Sequence, residues 1–252
     1  MQLKLIACNV FMREACYCIA RSPHLIDATY VELGEHAQPE RLREVIQGHI
    51  DDASCAPRAY DAVMLLFGLC GNGCVGLHAR NVPLVIPRAH DCCTILLGSR
   101  ARFVELFGDN PSTPFGSVGY LERGDYYLRT DDDGCSIHFG NEYAAYVEQY
   151  GEENAKYIWE MMHPKHASED QRAIFIDVPE TSQPDVAEEF KRRAEAEGKQ
   201  YVRVEGSLNL IRKLIDGDWN WDEFLTVPPG QSTRGVYDWT EVIRAEGDGQ
   251  GK

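Results

Sequence analysis

The chain lacks the features that would place it at a membrane or in a secretory pathway. No apolar run approaches the roughly 18 residues that a membrane span requires. The apolar start at residues 5–11 is too short for a signal-peptide core, and Arg13 and Glu14 follow it at once. We therefore predict a cytoplasmic protein with no membrane partner.

Basic residues are also scarce. The sequence has 25 Lys and Arg against 40 Asp and Glu, a net charge of -15. Nucleic acids and anionic membrane surfaces carry the same sign of charge and would be repelled. We expect a small-molecule substrate rather than a nucleic acid, and the sequence makes no prediction of oligomeric state.

Cysteine, by contrast, is plentiful, with nine residues in 252. Disulfides are rare in the reducing cytosol, so these cysteines are expected to be buried apolar residues, metal ligands or catalytic thiols. The paired CxxC pattern of a structural zinc site is absent. Spacing alone therefore names no metal.

Short apolar segments alternate with amphipathic ones along most of the chain. The predicted strands are residues 3–8, 26–31, 61–69, 83–86, 173–178, 201–205 and 224–227. The predicted helices are residues 12–20, 39–51, 91–107, 142–150, 152–163, 184–197 and 207–216. This alternation predicts an α/β fold: an open, mainly parallel sheet with helices on both faces, arranged as two Rossmann-like halves with the site in the crevice between them.

The predicted domain organisation follows the same alternation of strands and helices. Residues 1–108 are predicted to form the first α/β half, which carries the cysteine site. Residues 109–141 break the alternation with prolines, glycines and an acidic run, and are interpreted as an irregular excursion or lid. Residues 142–246 form the second half, and 247–252 a disordered tail.

Three cysteines fall at the ends of predicted strands. Cys8 ends the first strand, Cys70 ends the third, and Cys92 lies just past the fourth. Ligands of open parallel sheets bind beyond the carboxyl ends of the strands, so these thiols are expected to be neighbours. A metal-thiolate site is the favoured interpretation, with zinc preferred and an iron–sulfur cluster as the alternative. Simple packing of buried cysteines competes with both.

The other cysteines divide into two groups. Cys74 and Cys93 each lie within a turn of a favoured cysteine, and their role is left open. Packing or surface positions are assigned to Cys16, Cys18, Cys55 and Cys135.

Three segments resemble a known family. They are Ala7-Cys8, residues 68–73 (GLCGNG) and residues 83–92 (PLVIPRAHDC), the last continuing into LGSR at 97–100. Together they resemble the domain-of-unknown-function family numbered 1638, which occurs in methanogens, other anaerobes and some other bacteria. The resemblance covers most of the chain, with the specific motifs in residues 7–107.

The resemblance implies a link to corrinoid-dependent methyl-transfer systems, and so a possible corrinoid protein partner. By position it also implies a set of characteristic polar residues: Cys8, Glu14, Cys70, Asn72, His90, Asp91 and Cys92. The additional cysteines at 16, 18, 74 and 93 depart from the family's pattern. They leave the ligand set open.

These observations lead to a chemical hypothesis. A thiolate-bound zinc keeps a bound thiol deprotonated and nucleophilic, so we expect methyl transfer to or from a thiol or corrinoid. Cys8, Cys70 and Cys92 are then ligands. Catalytic roles are assigned to Glu14, Asp91 and His90, with helix stabilisation as the alternative for the two acids and metal ligation or ligand orientation as the alternative for His90. The competing functions are a non-catalytic metal- or corrinoid-binding accessory protein and an iron–sulfur redox protein.

Four residues are assigned to substrate binding: Asn72, Arg88, Ser207 and Arg234. Ser207 follows Gly206 at a predicted helix start, where free backbone N–H groups can bind an anion. Arg234, in the loop at 230–235, can hold a carboxylate or phosphate. An ordinary N-cap, a surface turn and, for Arg88, a salt bridge are the alternatives.

Overall fold

The computed structural model describes residues 1–33, 39–69, 72–110, 113–124, 171–236 and 240–247. The helices predicted at 142–150 and 152–163 lie outside these residues, as do Cys70, Cys135 and the end of the predicted tail.

Ten strands and seven α-helices are found in the described residues. The strands are β1 (Gln2–Cys8), β2 (Leu25–Val31), β3 (Ala62–Leu66), β4 (Leu84–Pro87), β5 (Phe115–Gly116), β6 (Arg172–Asp177), β7 (Gln200–Glu205), β8 (Phe224–Val227), β9 (Gln231–Gly235) and β10 (Ile243–Gly247). The helices are α1 (Met12–Ile19), α2 (Pro39–Ser54), α3 (Cys92–Leu97), α4 (Arg100–Phe107), α5 (Val118–Arg123), α6 (Pro184–Ala196) and α7 (Asn209–Asp216). Short 3-10 turns cover Asn9–Phe11 and Pro179–Thr181.

The principal sheet has five strands in the order β2-β1-β3-β4-β8. The first four are parallel, and β8 pairs antiparallel with β4. Every residue of β3 and β4 is buried, as expected for strands covered on both faces. The α/β class with an open, mainly parallel sheet flanked by helices is therefore confirmed.

A second, parallel sheet has the order β5-β6-β7. Its two faces pack differently. Ile174 and Ile176 of β6 join the main hydrophobic core, whereas Phe175 lies against Phe190 of α6, with ring centroids 5.2 Å apart. The alternation of side chains along a strand thus ties this sheet to the main core while covering its other face with a helix.

The predicted division into halves remains a prediction, and two observations bear on how the halves are connected. The strand at Phe224–Val227, placed in the second half by sequence, completes the first sheet beside β4. The predicted excursion contains β5 and α5. Within the described residues, no helix is long and apolar enough to cross a membrane.

The predicted helix at 91–107 is two helices, α3 and α4. Gly98 separates them with a φ of 72°, a left-handed conformation that favours glycine. A Cβ at this position would also lie 2.7 Å from the Cβ of Ser207. The break at Gly98 therefore allows the end of α3 to contact the turn that follows β7.

Candidate functional site

Cys8 and Cys92 are neighbours in the structure. Cys8 is the last residue of β1, and Cys92 is the first residue of α3, which follows β4. The thiol of Cys92 has the largest influence on the pKa of Cys8, and the two residues are 0% and 3% exposed. That Cys8, Cys70 and Cys92 form one site stays a prediction.

Gly68 allows the convergence. Strand β3 lies between β1 and β4, so the loop after β4 has to cross its end to reach Cys8. A Cβ on Gly68 would lie 2.5 Å from the Cα of Asp91. Leu69 then donates its backbone N–H to the carbonyl of Ala89 at 3.0 Å. Only a residue without a side chain permits this crossing.

Cys74 is the third thiol of this group. It is fully buried, and its charge interacts with those of both Cys8 and Cys92. Cys8, Cys74 and Cys92 are called the thiol cluster from here on. Cys93 also interacts with Cys92, and all four cysteines belong to the main hydrophobic core.

The electrostatics of the thiol cluster oppose ionisation. The thiol of Cys92, and then burial, raise the pKa of Cys8 well above its ordinary value. Burial and the charge of Cys92 raise the pKa of Cys74. Two groups act in the other direction: the backbone N–H of Val10 on Cys8, and the positive charge of Arg43 on Cys74. A bound cation would favour the thiolates further.

The chemistry of these residues suits a thiophilic metal such as zinc, which thiolates bind tetrahedrally. Among the described residues, however, no group of three or more His, Cys, Asp or Glu side chains is placed to hold a metal ion. The predicted ligand Cys70 is not among the residues searched. The full ligand set therefore remains a prediction.

Asp91 caps helix α3. Its carboxylate accepts hydrogen bonds from the backbone N–H of Thr94 at 2.8 Å and from the Thr94 hydroxyl at 2.9 Å. Burial nevertheless raises the pKa of Asp91 to about 6. This arrangement is the helix-capping role that competed with catalysis, and it leaves a carboxyl group next to Cys92 that titrates near neutrality.

Glu14 is buried on helix α1, with 2% of its surface exposed. Its Oε1 accepts a hydrogen bond of 2.5 Å from the hydroxyl of Thr181. Its Oε2 is buried with no hydrogen-bond partner among the described residues. Burial raises the pKa of Glu14, so the structure favours a carboxyl group that readily holds a proton.

Two predicted loop residues lie near the cysteines, His90 and Asn72, and each has its own local environment. His90 is half-buried between Ala89 and Asp91. Asn72 has a φ of 71°, and its carbonyl accepts the N–H of Val75 at 3.0 Å. Asparagine tolerates this left-handed conformation better than most residues, which is a structural reason for its position.

The predicted anion-binding residues all have protein partners. The Arg88 guanidinium donates to the carbonyls of Trp221 at 2.8 Å and Glu241 at 2.7 Å, and also to that of Ile243. Ser207 donates its N–H to Leu96, and Arg234 lies on strand β9 in an ion pair with Glu246. Substrate binding by these residues stays a prediction, and for Ser207 it would require the bond to Leu96 to open.

Comparison with known proteins places the chain in a family. The model of a family described as "Protein of unknown function (DUF1638)" matches residues 30–215. The chain belongs to the DUF1638 family. No curated protein and no solved structure matches it. The matched region of this DUF1638 protein includes Cys70, Cys74 and Cys92 but begins after Cys8.

Two residues of this DUF1638 protein that the sequence did not predict belong with the candidate site residues. Arg43 of α2 acts on Cys74, and its Nε is buried without a hydrogen-bond partner in the described part of the chain. It lies beside Leu42 on the buried side of an amphipathic helix, so the helical period of the sequence carries a signal for it. Thr181, the partner of Glu14, has no such signal, because 167 positions separate the two residues.

Proposed function

We propose that this protein is a metal-thiolate enzyme that transfers a methyl group to or from a thiol or corrinoid. Cys8, Cys70 and Cys92 hold the metal, zinc being favoured, and Cys74 is available as a further ligand. The observation that carries the proposal is the placement of Cys8, at the end of β1, near Cys92, which follows β4 across the intervening strand β3.

The grouping of three thiols supports a metal ligand set. Cys8, Cys74 and Cys92 belong to the main hydrophobic core, and the charge of each would act on its neighbours. Ionising one of these thiols raises the free-energy cost of ionising its neighbours. A divalent cation would reverse that cost and release protons on binding.

Zinc in such a site would supply a Lewis acid that keeps a substrate thiol deprotonated near neutral pH. In the proposed reaction, the substrate sulfur forms a bond to the methyl carbon as the bond between that carbon and the corrinoid cobalt breaks. The electron pair of that bond stays on cobalt, and the thiol proton passes to solvent. Glu14, His90 and Asp91 are the residues of this chain proposed to hold or move protons there.

The metal content of protein purified without oxygen tests the site. We expect about one zinc per chain, lost in Cys8→Ser and Cys92→Ser and kept in Cys55→Ser. Cys55 is the matched control because it is an exposed cysteine. Equal metal content in all four proteins would overturn the ligand assignment.

Two further outcomes separate the rival functions. A brown protein containing iron and sulfide would favour the redox protein. The enzyme itself is tested by incubating zinc-loaded protein with methylcobalamin and 2-mercaptoethanol and detecting the methyl thioether by mass spectrometry. Bound zinc without any thioether above the protein-free rate would favour the accessory protein.

A further inference from the structure

We infer that Arg43 binds the anionic group of the substrate, so that the thiol methylated or demethylated by this protein carries a carboxylate or a similar oxyanion. The anion site is inferred from the position of Arg43 and from its lack of a partner among the described residues. That the anion belongs to the substrate of methyl transfer rests on the proposed function.

The chain segment that leaves the thiol cluster is held in a fixed position. Residues 76–79 run antiparallel to strand β9, where the backbone N–H of Thr233 donates to the carbonyl of Leu77 at 2.9 Å. The hydroxyl of Thr233 also donates to the carbonyl of Cys74 at 2.7 Å. The segment therefore has a defined, extended course directly after Cys74.

Helix α2 lies alongside this segment and contacts it with side chains one helical turn apart. The amide oxygen of Gln47 accepts the N–H of His78 at 2.8 Å, and the amide nitrogen donates to the carbonyl of His78 at 3.3 Å. One turn later, the carboxylate of Asp51 accepts hydrogen bonds of 2.7 and 3.1 Å from the guanidinium of Arg80. Four helical residues and two extended residues each advance the chain by about 6 Å, so successive contacts stay in register.

Arg43 occupies the next position of this row, one turn before Gln47. It lies beside Gly76, since a Cβ on that glycine would be 3.8 Å from the Cδ of Arg43. The Nε of Arg43 is buried, and no hydrogen bond or ion pair joins this side chain to any of the described residues. The row of satisfied polar contacts therefore ends, at the side of the thiol cluster, in a guanidinium that no carboxylate of the described chain neutralises.

The chemistry of a half-buried guanidinium calls for an anion. Removing a charge from water is unfavourable unless an opposite charge or hydrogen bonds compensate it. Arg234 has such a partner in Glu246, and the guanidinium of Arg88 donates to backbone carbonyls, whereas Arg43 has neither. The planar fork of an arginine matches the two oxygens of a carboxylate, so an oxyanion is the ligand that Arg43 would bind.

The position of Arg43 relates this anion to the thiol cluster. Only Val75 separates Gly76, which Arg43 contacts, from Cys74. Burial raises the pKa of Cys74, and the positive charge of Arg43 opposes that shift. A small thiol with its oxyanion at Arg43 would therefore present its sulfur to the cluster, which assigns the substrate to the class of short thiols with an anionic end.

Calorimetric titration of the full chain tests the anion site without turnover. The probes are 3-(methylthio)propionate and its neutral analogue 3-(methylthio)propan-1-ol. We expect the wild type to bind the carboxylate roughly tenfold more tightly than the alcohol, because a charge-assisted hydrogen bond distinguishes the two. Equal affinity of the wild type for both probes would overturn the anion site.

Variants on one helix assign the effect to Arg43. Arg43→Gln should abolish the preference for the carboxylate, and Arg43→Lys, which keeps the charge but not the planar fork, should retain a smaller one. Arg41→Gln is the matched control and should keep the full preference, because the Arg41 side chain is exposed and lies 3.6 Å from Glu44. Equal loss in Arg41→Gln and Arg43→Gln would overturn the assignment.

The link to the proposed function is tested with zinc-loaded protein, methylcobalamin and two thiols, 3-mercaptopropionate and 2-mercaptoethanol. The measured quantity is the ratio of kcat/KM for the carboxylate thiol to that for the neutral thiol. We expect this ratio to be roughly tenfold higher in the wild type and in Arg41→Gln than in Arg43→Gln. Comparing ratios between proteins removes the intrinsic difference in reactivity between the two thiols.

The outcomes distinguish this inference from the proposed function. Carboxylate binding that depends on Arg43, without thioether from either thiol, supports the anion site and overturns the methyl-transfer enzyme. Thioether formed with the same thiol ratio in all three proteins supports the enzyme and overturns the anion site. Loss of zinc from Arg43→Gln with unchanged binding of 3-(methylthio)propionate also overturns it, because the arginine would then serve the metal ligands.

Discussion

A Cβ placed on Gly68 would lie 2.5 Å from the Cα of Asp91, so the loop after β4 crosses the end of β3 in direct backbone contact. We predict that Gly68→Ala forces this loop away and separates Cys92 from Cys8. The expected loss in the free energy of unfolding is about 2 kcal/mol, typical of overpacking. Denaturant unfolding measures it, and metal content should fall with it.

Gly48→Ala is the matched control for that substitution. Gly48 lies within helix α2, and a Cβ there would meet nothing within 4 Å. Alanine is the better helix former, so Gly48→Ala should raise the free energy of unfolding by roughly 0.5–1 kcal/mol. Equal destabilisation by the two substitutions would contradict the close approach at Gly68.

The pH dependence of stability should reveal the burial of Asp91. Its pKa is raised from 3.8 to about 6, so the folded state binds the proton more tightly than the unfolded state. The stabilisation from this group is complete below pH 3.8 and is lost as the pH rises through about 6. Asp91→Asn keeps an acceptor for Thr94 but cannot ionise. In metal-free protein, the stability of wild type relative to Asp91→Asn should fall by up to about 3 kcal/mol over this range; a constant difference would contradict the raised pKa.

The hydrogen bond between Thr181 and Glu14 should matter for stability. Thr181→Val keeps the shape of the side chain but removes the hydroxyl that donates to Oε1. Because Glu14 is buried, we expect a loss of about 2 kcal/mol in the free energy of unfolding. Thr181→Ser retains the hydroxyl and is the control. Equal destabilisation of the serine and valine variants would contradict a specific contribution from this hydrogen bond.

Arg88 and Arg234 offer a matched pair of arginines. Arg88 donates to backbone carbonyls of the segments that flank β8 and β10, whereas Arg234 forms an ion pair with Glu246 in which the side chains are 47% and 49% exposed. Arg88→Met should therefore cost about 2–3 kcal/mol and make residues 240–243 more sensitive to proteolysis. Arg234→Met should cost less than about 1 kcal/mol. The reverse order of stabilities would contradict the bridging role of Arg88.

Much of the fold is predictable from the sequence because its strands are short and separated by amphipathic helices, and the central strands β3 and β4 are wholly apolar. Strand β3 shows the limit of this reasoning. Its apolar run continues to Leu69, but the ladder ends at Leu66, because Leu69 bonds instead to Ala89 in the loop beyond β4. Hydrophobicity marks burial, and it does not distinguish a strand from a buried loop.

The candidate site is likewise only partly predictable from the sequence. The meeting of Cys8 and Cys92 is predictable, because parallel strands bring their carboxyl ends to one edge of the sheet. The contact of Glu14 with Thr181 is not, because it depends on how the second sheet packs against α1. Likewise, no local sequence pattern predicts that β8 runs antiparallel beside β4 rather than extending the second sheet.

That placement of β8 has a consequence for synthesis of the protein. The four parallel strands are complete once residue 87 has been made, but the exposed edge of β4 has no partner until Phe224–Val227 leave the ribosome. For most of translation, the nascent sheet therefore presents an apolar strand with unpaired backbone groups, which is the feature that draws chains into aggregates. Rapid expression should favour inclusion bodies, and slow expression should favour the native fold.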